Sequence, residues 1–140
     1  MTTTAGHDPG AAASRFALAD AFLSGLAAQD FTQLGGALSA DARLRALVPR
    51  GLMERTGAEE IAGTFGRWFG DTEGFEPVAL TVSEVGGRLH LAWRLRLQAG
   101  RLGPGWFTVE QQAYADTGEH GRIDRLDLLC TGYRGEGTNG

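Results

Sequence analysis

Residues 89–98 alternate strictly between large apolar and mostly polar side chains, and this run constrains the fold most. Leucine or tryptophan occupies every odd-numbered position, while the even-numbered positions hold His, Ala, Arg, Arg and Gln. Successive side chains of a β-strand point to opposite faces, so the run predicts a long strand with one dry face. We expect the face that carries Trp93 to turn towards the interior.

The remainder of the second half keeps the same period of two. Residues 78–83 alternate, and Gly86-Gly87 after them is typical of a tight hairpin turn. Two further strands are predicted over 106–115 and 123–131. The second half therefore predicts four consecutive antiparallel strands.

The first half has a helical period instead. A first amphipathic helix is predicted over 14–28, and a short second helix over 31–38. Asp30 suits the N-cap of the second helix, with Gln33 completing a capping box. A strand is predicted over 41–49.

The third helix has the clearest signals at both ends. Thr56 and Glu59 have the spacing of a capping box, and Gly70 is placed to end the helix. The buried stripe is predicted to comprise Ile61, Phe65, Trp68 and Phe69.

The order of these elements predicts an α+β fold. Helices that precede a run of strands do not make right-handed βαβ crossovers, so a parallel sheet is excluded. We expect the N-terminal helices to pack on a curved antiparallel sheet. Curling of long twisted strands leaves a cavity between the layers, where a small ligand can bind.

Composition excludes several other classes of protein. The 140 residues suit one domain, predicted over 14–133 between mobile ends at 1–13 and 134–140. A net charge of −4 argues against a nucleic-acid-binding surface. One cysteine and three scattered histidines predict no metal site and no disulfide. No apolar run reaches membrane-spanning length and no signal sequence is evident, so we expect a soluble cytoplasmic protein.

Four local stretches resemble the nuclear transport factor 2-like (NTF2-like) superfamily, and within it the SnoaL-like proteins. These stretches are 25–31, 39–43, 55–61 and 121–123, in that order along the chain. The resemblance implies an α+β cone with a deep pocket for an apolar small molecule, often a homodimer through the sheet and working without a cofactor. Members include ketosteroid isomerases, polyketide cyclases, epoxide hydrolases, dehydratases and binding proteins without catalysis.

The isomerase pattern in this superfamily has two pocket tyrosines, a basic carboxylate and a protonated acid. The resemblance implies that Phe22 and Phe65 occupy the positions of the two tyrosines, and that the position of the base lies between Ala46 and Val48. The protonated acid falls at Glu110. Since three of the four polar groups are missing, a steroid isomerase is not predicted.

Glu110 is nevertheless the predicted catalytic residue. If its strand face is concave, it lies among Phe22, Phe65 and Trp93, where burial would raise the pKa of a carboxyl group and suit it to acid or base catalysis. The alternative is an outer position, paired with an arginine such as Arg94 or Arg96. The predicted ligand-binding residues are Phe22, Leu26, Phe65, Trp68, Leu91, Trp93, Thr108, Gln112 and Cys130.

Three functions are compatible with these sequence features. The first is a cofactor-independent isomerase, cyclase or dehydratase in secondary metabolism that uses Glu110 on an apolar polyketide- or terpenoid-like substrate. The second is a binding protein with the same pocket and no reaction. The third is an interaction module, which a pocket filled by Trp68, Trp93 and Phe65 would favour. By alternation, His90 is expected outside the pocket.

Overall fold

The computed structural model describes residues 9–118 and 121–136, in which three α-helices pack on a curved, unclosed sheet. The helices are α1 (Pro9–Ala27), α2 (Phe31–Gly36) and α3 (Ala58–Phe69). The strands are β1 (Leu38–Val48), β2 (Gly51–Thr56), β3 (Gly74–Val85), β4 (Arg88–Gln98), β5 (Phe107–Thr117), β6 (Ile123–Cys130) and β7 (Arg134–Gly135). A short 3₁₀ helix, Gly100–Leu102, lies between β4 and β5. The α+β prediction is confirmed.

The sheet is mixed, and this corrects the prediction of a purely antiparallel one. Its strand order is β2-β1-β6-β5-β4-β3, with β7 paired to β5. β1 and β6 run parallel, with Leu44 opposite Leu126, whereas every other pairing within the described residues is antiparallel. The order of helices and strands excludes only local βαβ crossovers, and it leaves open a parallel pair formed by strands far apart in the chain.

The strand before α3 was not predicted. Gly51–Thr56 forms β2, an edge strand that pairs with β1, so Thr56 ends a strand and does not cap the helix. The N-cap of α3 is Gly57, whose φ of 102° favours glycine, and no side chain caps this end. α3 ends at Phe69, and Gly70 follows as its C-cap, as predicted.

The ends of the domain extend further than predicted. α1 begins at Pro9 and not at residue 14, because the alanines of residues 11–13 favour a helix without contributing to an apolar stripe. At the other end, β7 lies within the predicted tail. The rest of the two predicted mobile ends, 1–8 and 137–140, lies outside the described residues.

The odd-numbered row of β4 faces the helices. Leu89, Leu91, Trp93, Leu95 and Leu97 are each at most 2% exposed, which confirms the predicted dry face. On the helix side, Asp30 caps α2 by accepting a hydrogen bond from the Gln33 backbone N–H (3.0 Å). The Gln33 side chain does not complete a capping box, because it donates to the Ala21 carbonyl oxygen instead.

α1 and α2 approach each other closely at Gly25, the first residue of the stretches that suggested the fold. A Cβ atom placed there would lie 2.7 Å from the Leu34 backbone nitrogen. Only glycine leaves room for this close contact between the two helices.

Candidate functional site

A cluster of aromatic side chains centred on Phe65 lies between the helices and the sheet. The ring of Phe65 lies 5.5 Å from that of Phe22, 5.1 Å from that of Trp68 and 6.2 Å from that of Trp93, measured between centroids. These distances are typical of packed aromatic pairs. Phe22, Phe65 and Trp93 are buried, as are Leu26 and Leu91, so these predicted ligand-binding residues form core here.

The polar groups of this interior do not ionise. Gln111 and Thr64 are the buried polar side chains among residues 15–118 and 121–136. Trp93 Nε1 donates a hydrogen bond to Gln111 Oε1 (3.0 Å), and Thr64 Oγ1 donates to the Glu60 carbonyl oxygen (2.9 Å). Both polar residues have hydrogen-bond partners, and the described core therefore supplies no acid or base.

Tyr133 closes one end of the aromatic cluster. Its hydroxyl donates a hydrogen bond to the Trp68 carbonyl oxygen (2.7 Å), and Arg101 donates to the same oxygen. Burial raises the pKa of Tyr133, while the neighbouring Arg101 guanidinium acts in the opposite direction. Trp68 is thereby held against the core from its backbone side.

Glu110 does not lie with the aromatic residues, and this corrects the predicted placement. In β5 the inward row contains Val109, Gln111 and Ala113, so Glu110 projects from the opposite, outer face. β4 places Arg94 directly across from it, and Arg94 Nε donates to Glu110 Oε2 (3.0 Å). The alternative placement, an outer carboxylate paired with an arginine, is the one observed.

Thr108 and Gln112 share the outer face with Glu110, so the structure does not bring them to the aromatic cluster either. Thr108 Oγ1 donates to Glu136 (2.6 Å), and Gln112 Oε1 lies 2.8 Å from His90 Nε2. The expectation that His90 lies outside the interior is confirmed. Cys130 is half-buried at the edge of the core, where its Sγ accepts a hydrogen bond from the Gly132 backbone N–H (3.3 Å).

The outer face of the sheet has a hollow of about 410 Å³ across β3–β6. Its lining comprises Ala79, Thr81, Ala92, Trp93, Arg94, Glu110, Gln111, Gln112, Leu129, Cys130 and Thr131. Four of the predicted site residues are among them: Trp93, Glu110, Gln112 and Cys130. Ala79 and Ala92 have small side chains beside the longer Arg94 and Gln112, which leaves the depression open.

The hollow combines an apolar floor with a rim that can both donate and accept hydrogen bonds. Arg94 and Glu110 form its charged pair, and both side chains remain partly accessible to solvent. Sequence reasoning missed Arg94, Thr81 and Thr131 as site residues. For Arg94 the signal was its place in the polar even-numbered row of β4, a row that the alternation by itself assigns only to solvent.

Neither a metal centre nor a membrane span is found among the described residues. No group of three or more His, Cys, Asp or Glu side chains there is arranged to hold a metal ion. None of the helices described is long and apolar enough to cross a membrane.

Known proteins resemble this chain in structure and not closely in sequence. No family model and no curated protein matches it. Bal32a, from a soil-derived mobile gene cassette, superposes with a TM-score of 0.67 at 22% identity, over 86% of this chain and 91% of its own. An LEH-like epoxide hydrolase of M. tuberculosis superposes with a TM-score of 0.63 at 20% identity, over 84% of this chain and 83% of its own.

A third similar structure is an NTF2-like protein of unknown function from Cytophaga hutchinsonii. It superposes with a TM-score of 0.54 at 17% identity, over 83% of this chain and 88% of its own. At such identities the comparison bears on the fold and does not establish a reaction. The superpositions and the helix-on-curved-sheet architecture together show that this chain has the NTF2-like α+β cone fold.

Proposed function

We propose that this protein is a non-catalytic, small-molecule-binding NTF2-like protein whose ligand occupies the hollow on the outer sheet face. The observation that carries the proposal is the hollow of about 410 Å³ between the Arg94–Glu110 pair and the apolar side chains of Ala79, Ala92 and Leu129. Its volume falls in the range common for small-ligand sites.

The rim indicates the chemistry of the ligand. An apolar body would lie on Ala79, Ala92 and Leu129, and a primary amide end would face Arg94 and Glu110. Such an end group both donates and accepts hydrogen bonds, as the ion pair does. The hydroxyls of Thr81 and Thr131 would orient the remainder of the molecule.

An isomerase, cyclase or dehydratase that uses Glu110 has less support. Glu110 is engaged by Arg94 and lies 3.7 Å from Arg134 Nη2, in a site open to water. A general acid of the predicted kind needs a desolvated position. Within residues 15–118 and 121–136, the desolvated interior holds only Gln111 and Thr64 as polar side chains.

We also propose that the outer face pairs two copies of the chain. Leu52, Leu47 and Leu129 are matched in register across β2, β1 and β6, and are 62%, 50% and 47% exposed. Such a row exposes contiguous apolar surface, which a symmetric partner would cover. Leu129 belongs to both the row and the hollow, so pairing would deepen the binding site.

The test uses 2-naphthamide, a flat apolar body with one primary amide, titrated into ¹⁵N-labelled protein. We expect amide shifts at Thr81, Ala92 and Thr131, and the compound recovered unchanged. Ala92→Leu should fill the floor and abolish these shifts, whereas Ala17→Leu, an exposed alanine on α1, should leave them intact. Glu110→Gln should weaken binding severalfold with an unchanged Tm.

Two results would contradict the proposal. Shifts centred on Phe65 and Trp68 would place the ligand in the interior, which would then have to open. Binding that persists in Ala92→Leu would remove the hollow as the site.

A further inference from the structure

A second site, separate from the hollow, is indicated by two arginines at the β2 side of the outer face. The parallel register of β1 and β6 places Arg43 directly opposite Arg125. Neighbouring strands in a sheet are about 4.8 Å apart, so the two side chains leave the sheet side by side. Thr56 lies opposite Arg43 on the other flank, in β2.

The two arginines lack the ion-pair partners that other arginines of this face have. Arg88 is bonded to Asp116, Arg94 to Glu110, and Arg96 to Glu136. Within residues 15–118 and 121–136, no carboxylate lies within 4.0 Å of the guanidinium nitrogens of Arg43 or Arg125. Asp116 is opposite Arg125 in the β5–β6 register, but Arg88 holds both of its oxygens, at 2.8 and 3.0 Å.

Like charges placed directly opposite each other in a sheet are destabilising. The Arg43–Arg125 pair therefore costs the unliganded protein stability, and it does so in a chain whose formal net charge is −4. An anion bound between the two guanidinium groups would make the contribution of this pair to stability favourable.

The surface at this point is shaped to hold such an anion. A cleft of about 180 Å³ is lined by Arg43, Leu44, Arg45, Glu54, Arg55, Thr56 and Arg125, and we name it the arginine cleft. Four of its seven lining residues are arginines. Arg45 is already held by Asp127 (3.1 Å), and Glu54 is the one acidic lining residue.

We propose that the arginine cleft binds a phosphate group, either as inorganic phosphate or as the terminal group of a small phosphomonoester. The guanidinium fork matches the oxygens of phosphate with paired hydrogen bonds, and Arg43 and Arg125 offer two such forks. The Thr56 hydroxyl adds a neutral donor. The cleft shares no lining residue with the hollow, so phosphate binding here does not depend on ligand binding in the hollow.

The experiment measures Tm and amide shifts during titration with inorganic phosphate, against sodium chloride at matched ionic strength. We expect phosphate and not chloride to raise the Tm, with shifts at residues 43, 56 and 125. Arg43→Gln and Arg125→Gln should each weaken phosphate binding at least tenfold. Arg50→Gln is the matched control, because it removes the same charge from an exposed turn outside the cleft.

A second titration with phenyl phosphate distinguishes the two sources of the group. Equal affinity for both compounds indicates that phosphate alone is recognised, whereas tighter binding of phenyl phosphate indicates a phosphomonoester. Both outcomes support the site.

The proposal also predicts a reversal in stability. In phosphate-free buffer Arg43→Gln should melt at the same temperature as the wild type or higher, and in saturating phosphate it should melt lower. If Arg43→Gln lowered the Tm equally in both buffers, Arg43 would stabilise the fold independently of phosphate, and the proposal would be overturned. An equal loss of phosphate affinity in Arg43→Gln and Arg50→Gln would overturn it as well.

Discussion

Trp93 and Gln111 lie directly opposite each other on β4 and β5, and the indole Nε1 donates a hydrogen bond to the amide oxygen across the strands. Both side chains are at most 4% exposed, in a layer that is otherwise almost entirely apolar. A shift of one residue in this pairing would turn Glu110 or Gln112 towards the rings of the core. The hydrogen bond therefore helps to fix the register that keeps Glu110 outside.

We predict that Gln111→Leu lowers the free energy of unfolding by about 1–3 kcal/mol, because the buried Trp93 N–H loses its acceptor. Urea denaturation at neutral pH measures the change. Gln112→Leu is the matched control: it is the adjacent glutamine on the solvent face, and we expect a change within about 0.5 kcal/mol. The double variant Trp93→Phe/Gln111→Leu should cost less than the sum of the two single variants. Strict additivity would show that the hydrogen bond contributes nothing.

We predict that Tyr133 makes the fold sensitive to alkaline pH. Burial raises the pKa of its hydroxyl above the ordinary value of 10.0, although Arg101 opposes that shift. The unfolded chain therefore loses this proton at a lower pH than the folded chain. The contribution of Tyr133 to the free energy of unfolding is complete below pH 10, and it is lost as the pH rises through the pKa of Tyr133 in the folded protein.

Thermal unfolding between pH 8 and 11.5 tests this second prediction. The Tm of the wild type should fall more steeply above pH 10 than that of Tyr133→Phe. Tyr114→Phe, on the outer face, is the control and should follow the wild type. Parallel curves for Tyr133→Phe and the wild type would contradict the prediction.

We predict that Leu47→Glu converts a dimer into a monomer, because it places a charge in the middle of the exposed leucine row. Sedimentation equilibrium or light scattering after gel filtration gives the mass directly. Val85→Glu changes a similarly exposed residue near the β3–β4 turn, away from that row, and should leave the mass unchanged. A wild-type chain that sediments as a monomer at high micromolar concentration would reject the proposed pairing.

The sequence was most informative where one row of a strand is plainly apolar. In β4 every inward residue is Leu or Trp, so the dry face could be recognised from the period alone. In β5 neither row has this character, because the inward row contains Gln111 and Ala113 while the outer row contains Thr108 and Tyr114. Alternation shows which residues share a row, but it does not show which row faces the interior. The resemblance to the isomerase pattern then placed Glu110 in the inward row, whereas it lies in the outer one.

Two other features depend on distances that a linear pattern does not contain. The parallel β1–β6 pair depends on how strands from opposite ends of the domain meet. Whether Phe22, Phe65, Trp68 and Trp93 enclose a cavity or fill it depends on ring separations of 5–6 Å. The residue types were correctly placed inside, but the space between them could not be judged from their order in the chain.

The parallel pairing of β1 with β6 also sets an order of assembly. Arg45 in β1 and its partner Asp127 in β6 are 82 residues apart. Until β6 has been synthesised, the β1–β2 hairpin and the β3–β4–β5 ladder have no strand to join them, and β1 keeps an unpaired edge. Contacts of this sequence separation close slowly. The edge of β1 therefore stays unpaired until β6 has been added, and we expect the nascent chain to be most prone to aggregation in that interval.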